Sequence, residues 1–207
     1  MSDPWLNIPL ADYEGHMCSP EVQQLDALSE LFGVALGRCE PMSVAILGIA
    51  GGNGLDRVDP SITKRVVGLD LNPLFLAEVR NRYGAICNLD LHCVDLAAQQ
   101  VACGPVQLVH AALVFEHAGV DRCLENAVSL VGPDGALSAV LQLPSELGHA
   151  VGSSDFPSML SLKDHFTFVD PAWLSKELER RGFRLVHEVY RSVPAGKRFW
   201  MGIFGRS

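Results

Sequence analysis

The sequence predicts an α/β protein with a doubly wound, mostly parallel seven-stranded sheet that ends in an antiparallel C-terminal hairpin. From residue 43 onward, short apolar runs alternate with helical segments, which is typical of parallel strands joined by crossover helices. The run 136–143 is almost continuously apolar, as expected for a parallel strand covered on both faces. Two further β-like runs are joined by residues 194–196 (PAG). Because this connection is so short, the two strands can pair only in the antiparallel direction.

Each strand is predicted from a short run of apolar and β-branched residues bounded by turn or polar residues. In chain order the predicted strands are 43–47 (SVAIL), 65–70 (RVVGLD), 89–94 (LDLHCV), the beginning of 106–114 (VQLVHAALV), 136–143 (ALSAVLQL), 183–193 (FRLVHEVYRSV) and 197–205 (KRFWMGIFG). Acidic residues mark two of these strand ends. Asp70 ends the second strand, and Asp95 directly follows the third.

Helical periodicity and cap residues predict the helices between the strands. An Asn or Asp followed by proline begins a helix well, and a glycine commonly ends one. The predicted helices are 73–84, which begins after Asn72; 121–130, which ends at the turn 132–135 (GPDG); and 171–182, which begins after Asp170.

Two segments lie outside this alternation. Residues 1–42 are predicted to form an N-terminal helical cap segment, with an amphipathic helix over 21–36 capped by Ser19-Pro20. The polar face of that helix is acidic, which favours packing on the domain over binding to a membrane. The remaining 43–207 form the ligand-binding domain. Its long connection 144–169 is predicted to be a lid insertion, because loops of such length are more often functional than neutral.

Composition excludes several classes of protein. A chain of 207 residues with 48% hydrophobic residues can bury the core of one domain, and a net charge of −8 argues against a nucleic-acid partner. The N-terminus MSDPWLNIPL has no basic or apolar leader region, so we expect no signal peptide, and no apolar run approaches a membrane span. The six cysteines form no CxxC pair, which predicts no metal site and buried, reduced thiols, Cys93 among them, in a cytoplasmic protein.

The stretch LGIAGGNG (47–54) places four glycines directly after the first strand. Glycine loses much conformational entropy on folding, so such a cluster indicates a sharp turn or a closely approaching ligand. In open α/β sheets, ligands bind at the carboxyl ends of the strands where the strand order reverses. A phosphate-binding P-loop is excluded because no GK[ST] follows. A dinucleotide fingerprint lacks its third glycine, because Arg57 occupies that position.

The two strand-end acids complement the glycine stretch. Asp70 can accept hydrogen bonds from both hydroxyls of a ribose, and Asp95 can accept one from the exocyclic amine of adenine. Each acid alone is more simply explained as a helix N-cap or a solvated strand end. The glycine stretch and the acids after the next two strands together predict a nucleoside-binding site.

The order of these motifs, followed by VHAALVFEH and VGPDGALSAVLQL, resembles the class I S-adenosylmethionine-dependent methyltransferases over residues 43–143. GIAGGNG is similar to the GCATGNG variant of a group of poorly characterised bacterial members, as are DYEGHM (12–17) and GKRF (196–199) to that group's flanking segments. The chain departs from the family where an acid normally precedes the first glycine, because Gly48 and Ala50 stand there.

The resemblance implies a Rossmann-like methyltransferase fold over 43–207, with S-adenosyl-L-methionine as the cofactor. The implied cofactor contacts are Gly48, Ala50, Gly52, Asn53 and Gly54 at the methionine end, Asp70 at the ribose, Leu71 and Asn72 beside the adenine, Asp95 and Leu96 at its amino edge, Ala111 and Ala112 under the sulfonium, and Tyr13 and Met17 closing over the pocket. For Tyr13 and Met17, simple packing remains the alternative.

The implied reaction is in-line transfer of the methyl group to a small-molecule acceptor. His117 and His16 are candidate general bases, although a structural role explains either histidine. The aromatic residues of 156–168 line either an acceptor pocket or a small separate core. Two other functions stay open at this point: a non-catalytic module that retains the fold, and an NAD(P)-dependent oxidoreductase.

Overall fold

A computed structural model describes residues 3–85, 88–144, 155–194 and 196–206. Within these ranges, seven strands form one sheet in the order β3-β2-β1-β4-β5-β7-β6. The strands are β1 (Ser43–Leu47), β2 (Arg65–Asp70), β3 (Leu89–Cys93), β4 (Val106–Ala112), β5 (Val131–Leu143), β6 (Phe183–Ser192) and β7 (Arg198–Arg206).

Helices connect the strands and precede the first one. The α-helices of the described ranges are α1 (Leu10–Cys18), α2 (Gln24–Cys39), α3 (Pro73–Tyr83), α4 (Val114–Ala118), α5 (Asp121–Leu130) and α6 (Pro171–Arg180). Short 3-10 helices lie at Pro4–Asn7, Leu55–Arg57 and Pro157–His165. None of these helices is long and apolar enough to cross a bilayer.

The sheet is doubly wound around β1. That strand pairs in parallel with β2 on one side and with β4 on the other, so the strand order reverses between β1 and β4. β7 lies between β5 and β6 and is antiparallel to both. The predicted fold class is therefore confirmed, including the antiparallel terminal hairpin.

The sheet carries a hydrophobic core on each face. Ala45 and Leu47 of β1 pack into the cluster that includes residues of α5 and α6, whereas Val44 and Ile46 pack into the cluster that includes residues of α2 and α3. Side chains alternate between the two faces of a strand, so a strand covered on both faces must be apolar throughout. This explains why the central strands read as continuous apolar runs.

The predicted start of the amphipathic helix is wrong. Ser19 does not cap α2 but ends α1, where its N–H donates to the carbonyl of His16. The carbonyl of Ser19 then accepts from Val22 and Gln23 in the turn between the helices, and α2 begins at Gln24. The nine-residue helix α1 was not predicted, and it takes up the residue expected to serve as the cap.

The predicted turn at 132–135 lies inside β5. Val131 pairs with Val106, and Ala136 pairs with Leu108, so the residues between them form a bulge against β4. A Cβ at Gly135 would lie 3.0 Å from the carbonyl oxygens of β4, which requires glycine there. The glycine and proline of GPDG therefore mark a bulge rather than a turn.

Part of the predicted lid can be located. Residues 145–154, with His149, lie outside the described residues, whereas 157–165 form a 3-10 helix. Met159 and Leu162 of that helix are buried with Ile8 and Phe75, so the segment packs on the N-terminal region.

The cysteine prediction needs a correction. Cys93 is exposed rather than buried, and so is Cys18, because each lies at the end of its element. Cys123 is buried, and Cys87 lies outside the described residues.

Candidate functional site

A cavity that is open to solvent at its mouth lies at the carboxyl ends of β1 to β5. We call its two sides the strand-end wall and the covering wall. The strand-end wall comprises Gly48, Ala50, Asp70, Leu71, Val94, Asp95, Leu96, Ala97, Ala112, Leu113, Val114 and Gln142. The covering wall comprises Asp3, Trp5, Tyr13, His16, Met17, Gln24, Phe75, His117, Ala118, Met159, Leu162, Phe166 and Lys197. The point at which the strand order reverses lies inside this cavity, as expected for a ligand site in an α/β sheet.

Asp70 is the most constrained acid of the strand-end wall. It is 8% exposed, and its carboxylate accepts one backbone N–H on each oxygen, from Ala50 and from Asn72, both at 2.8 Å. Burial raises the pKa of Asp70, and these N–H bonds oppose the rise because they stabilise the anion. Each carboxylate oxygen has a second lone pair, so Asp70 can still accept from two ligand hydroxyls.

Asp95 lies beside Asp70 across two paired strands. Cys93 of β3 is the register partner of Asp70, and Asp95 follows it by two residues. One carboxylate oxygen of Asp95 accepts from the N–H of Ala97 at 2.9 Å, which fixes the side chain in a tight turn. Both carboxylates therefore line one cavity, as the strand-end pattern predicts.

The glycine stretch contributes less to the cavity than predicted. Gly48 and Ala50 line it, but Gly52, Asn53 and Gly54 do not. A Cβ at Gly52 would lie 2.8 Å from the Tyr83 ring, and both Gly52 and Gly54 have positive φ. These two glycines are therefore explained by internal packing and backbone conformation.

Asn53 contacts the N-terminal region instead of the cavity. Its side-chain amide donates to the carbonyl of Leu25 at 2.9 Å, which joins the glycine stretch to the first turn of α2.

Two other predicted contacts also lie outside the lining. Asn72 is almost fully buried; its side-chain oxygen accepts from Leu74 N–H at 3.0 Å, and its amide donates to the carbonyl of Trp5 at 2.9 Å. It therefore caps α3 and holds the N-terminal segment. Ala111 is buried in the core, because side chains alternate along β4 and its neighbour Ala112 faces the cavity.

Aromatic rings from separate segments make a continuous series along the covering wall. Ring centroids lie 6.2 Å apart for Phe75 and Tyr13, 5.8 Å for Tyr13 and Trp5, 5.0 Å for Trp5 and His117, and 5.1 Å for His117 and Phe166. Most are edge-to-face contacts, which aromatic pairs favour. Tyr13 and Met17 line the cavity, as do His16 and His117.

Burial lowers the pKa of three polar side chains of the covering wall. Burial lowers the pKa of His117 to about 4 and also lowers the pKa of His16, so both imidazoles are uncharged at neutral pH. Burial lowers the pKa of Lys197 to about 8. Among the described residues, neither Nδ1 of the two histidines nor Nε2 of Gln24 has a hydrogen-bond partner.

Sequence reasoning missed several lining residues, among them Trp5, Gln24, Gln142 and Lys197. Two of these four residues have a feature in the sequence that could have pointed to the site. Gln142 is a polar residue near the end of an otherwise apolar strand, and Lys197 lies in the GKRF segment. Trp5 and Gln24 had none, because tertiary packing alone brings them to the cavity.

Glu116 forms hydrogen bonds with Gln142 of the strand-end wall and with Thr167, which follows Phe166 of the covering wall. Its Oε1 accepts from the N–H of Gln142 at 2.8 Å, and its backbone carbonyl accepts from the N–H of Thr167 at 2.9 Å. Among the described residues its Oε2 has no partner, and burial raises its pKa to about 7.

No protein-family model matches the sequence, and no curated protein matches it. Solved structures do share its fold. The N-methyltransferase NodS from Bradyrhizobium japonicum WM9, in complex with S-adenosyl-L-homocysteine, is 14% identical with a TM-score of 0.72, over 99% of each chain. Magnesium protoporphyrin IX methyltransferase (ChlM) from Synechocystis PCC 6803, with the same ligand, is 17% identical with a TM-score of 0.65, over 89% of this chain and 82% of that one.

A third similar structure is the [4+2]-cyclase SpnF, which is 14% identical with a TM-score of 0.66, over 89% of this chain and 81% of that one. Identities this low establish a common fold. They do not transfer an activity, because one fold hosts many functions. The function must therefore be argued from the cavity.

Proposed function

We propose that the protein is an S-adenosylmethionine-dependent methyltransferase acting on a small molecule. The main observation in support is that Asp70 and Asp95, which follow neighbouring strands, line one cavity together with Gly48, at the point where the strand order reverses. The shared fold with NodS and ChlM, both bound to S-adenosyl-L-homocysteine, supports this proposal.

In this proposal the strand-end wall binds the nucleoside. Asp70 accepts hydrogen bonds from the ribose hydroxyls, and Asp95 accepts one from the adenine amine. Leu71 and Leu96 supply apolar surface on either side of the base. The acceptor would then bind beside the cofactor, against the aromatic and aliphatic side chains of the covering wall.

When bound, the cofactor's sulfonium supplies an electrophilic methyl group. The protein's tasks are then to align the acceptor and exclude water, and orientation alone can contribute about 7–11 kcal/mol in favourable systems. The aromatic series Tyr13–Trp5–His117–Phe166 lines the cavity and would pack against the acceptor. Because His117 is neutral above about pH 4, its unpartnered nitrogen can take a proton from the acceptor.

The proposal extends to the organisation of the chain. Residues 43–207 form the cofactor-binding domain, residues 1–42 form its helical cap, and 144–169 is a lid insertion. The GIAGGNG, DYEGHM and GKRF segments are assigned to the bacterial group with the GCATGNG variant. A small acceptor suits a cavity that is lined in part by aromatic and aliphatic side chains, in a chain of net charge −8.

Isothermal titration calorimetry with S-adenosylmethionine and S-adenosylhomocysteine tests the proposal. Ligand at about 100 times its Kd stabilises the folded state by about 2.7 kcal/mol, which raises the Tm of a chain this size by about 5–10 °C. NADH is the control ligand and should give neither a heat of binding nor a thermal shift. The proposal is contradicted if both sulfur ligands fail to bind at about 1 mM, or if NADH binds instead. Release of S-adenosylhomocysteine with a panel of metabolites then separates an enzyme from a cofactor-binding module.

A further inference from the structure

The glycine stretch offers no carboxylate to the amino-acid end of the cofactor. A side chain at Gly48 is disfavoured, because Gly48 has a φ of +67° and a Cβ there would lie 3.3 Å from Val114 Cγ2. Gly52 and Gly54 face Tyr83 and Phe32 rather than the cavity. A side chain that accepts from the ammonium group of a zwitterionic ligand must therefore come from elsewhere in the fold.

Gln24 lies close to the glycine stretch. It is the first residue of α2, and the carbonyl of the next residue, Leu25, accepts from the side chain of Asn53 at 2.9 Å. Gln24 lines the cavity and is 3% exposed, yet its Nε2 has no hydrogen-bond partner among the described residues. Leaving a buried amide unpaired costs free energy, and a ligand acceptor would remove that cost.

His16 presents the complementary group. It lies in the last turn of α1, is 3% exposed and lines the same cavity, and its Nδ1 has no partner among the described residues. Burial and, secondly, Lys197 lower the pKa of His16, so its ring is neutral. An unprotonated imidazole nitrogen accepts a hydrogen bond, and an ammonium group donates three.

We propose that Gln24 and His16 together hold the amino-acid end of the cofactor, taking over the task of the acid that is missing from the glycine stretch. The Gln24 amide donates to the ligand carboxylate, and His16 Nδ1 accepts from the ligand ammonium. This inference rests on the proposed function, because it concerns the same ligand. It assigns that task to the two N-terminal helices α1 and α2.

A comparison of two ligands tests this assignment without any turnover. S-Adenosylhomocysteine carries the amino-acid group, whereas 5′-methylthioadenosine carries the same nucleoside and sulfur without it. Calorimetry is run on wild-type protein, Gln24→Met, His16→Gln and the control Ser29→Ala. Ser29 is a buried polar residue of the same helix that lies outside the cavity lining.

We expect Gln24→Met to weaken S-adenosylhomocysteine binding about 10-fold and to leave 5′-methylthioadenosine within about twofold, since one hydrogen bond to a charged group is lost. His16→Gln should weaken the first ligand about threefold to tenfold with the same selectivity. Ser29→Ala should change neither affinity. Because Gln24→Met removes an unpaired buried amide, the ligand-free protein should also keep or raise its Tm, which a residue with a merely structural task would not allow.

Equal losses for both ligands, or no loss for either, overturn the assignment while the proposed function stands. A lowered Tm of ligand-free Gln24→Met also counts against it, and His16→Gln then decides by its selectivity between the ligands. Wild-type protein that binds neither ligand overturns the proposed function, and this inference with it.

Discussion

The two walls of the cavity differ in charge and in how the chain builds them. The strand-end wall carries the carboxylates Asp70 and Asp95, each fixed by backbone N–H groups within its own strand-end turn. The covering wall carries aromatic rings, neutral histidines, an amide, Asp3 and Lys197, and its residues come from 3–24, 75, 117–118, 159–166 and 197. The strand-end wall is thus set by local geometry on the sheet, and the covering wall by packing between distant segments.

This difference also predicts a difference in stability. Side chains, and no strand ladder, hold the described parts of the covering segments: Ser158 Oγ donates to Asp12 at 2.6 Å, the Trp5 carbonyl accepts from Asn72 at 2.9 Å, and Glu14 pairs with Arg82. Segments outside the sheet open at lower free energy than core strands. We therefore expect ligand binding to protect the covering segments from hydrogen exchange more than it protects β1 or β4.

Replacement of Asp70 should have the largest effect. Asp70→Asn should weaken S-adenosylhomocysteine binding about 100-fold or more, because the ribose loses hydrogen bonds to a charged acceptor. Calorimetry measures this change. Asp170→Asn is the matched control, since Asp170 likewise accepts an N–H two residues on, at 2.9 Å, but lies outside the cavity lining. If both variants bind like wild type, Asp70 is a structural strand-end residue and the strand-end wall is not the nucleoside site.

Glu116 tests the connection between the walls through pH. Its pKa of about 7 in the folded protein exceeds the usual value of 4.5, so the folded state holds a proton that the unfolded state has lost. Stability therefore falls as the pH rises from about 4.5 to 7, by about 2–3 kcal/mol, and stays low above that window. Glu116→Gln cannot ionise, so this fall should largely disappear in urea titrations at pH 5 and pH 8.

The exposed Glu125, which pairs with Arg122 at 2.7 Å, gives the control for that experiment. Glu125→Gln should retain the wild-type pH dependence, because an exposed carboxyl is fully hydrated in both states. A Glu116→Gln profile parallel to that of wild type would show that other groups cause the fall.

Asp95 should contribute less than Asp70. Asp95→Asn keeps the turn at Ala97, since an amide oxygen can accept the same N–H, but loses the charge that faces the adenine amine. We expect about a 10-fold loss of S-adenosylhomocysteine affinity. S-Inosylhomocysteine has an acceptor oxygen in place of that amine, so Asp95→Asn should bind it no more weakly than wild type does. A variant that loses affinity for both ligands alike would place Asp95 away from the amino edge of the base.

The smallest effect concerns packing of the covering wall. A Cβ at Gly15 in α1 would overlap the ring of Phe156, so Gly15→Ala should displace that segment and weaken ligand binding about threefold. Gly37 of α2 has nothing near its Cβ position, so Gly37→Ala should leave affinity unchanged and add about 0.5–1 kcal/mol of stability. Calorimetry and thermal unfolding distinguish the two. An unchanged affinity of Gly15→Ala would show that Phe156 moves without consequence for the cavity.

The strand-end wall could be predicted because its signal is local. Asp70 ends an apolar run and Asp95 follows the next, and parallel strands bring successive carboxyl ends to one edge of the sheet. The covering wall could not be predicted in the same way. The contact between Asn72 and Trp5 joins residues 67 positions apart, and no periodicity in the sequence marks Trp5 or Gln24 as partners of the site.

The glycine stretch is a sequence pattern that two different structural causes can explain. A glycine is needed both where a ligand approaches the backbone and where φ is positive, and the sequence alone does not distinguish these reasons. Gly48 lines the cavity, but Gly52 and Gly54 pack against Tyr83 and Phe32. In the same way, GPDG predicts a turn, but its glycines lie in a bulge of β5.

A crystal structure of the protein with S-adenosylhomocysteine tests the central claim most directly. We expect both ribose hydroxyls within hydrogen-bond distance of the Asp70 carboxylate, and the adenine amine within that distance of Asp95. The account would be contradicted if the ligand were bound away from these two carboxylates, or if the cavity held no ligand at a saturating concentration.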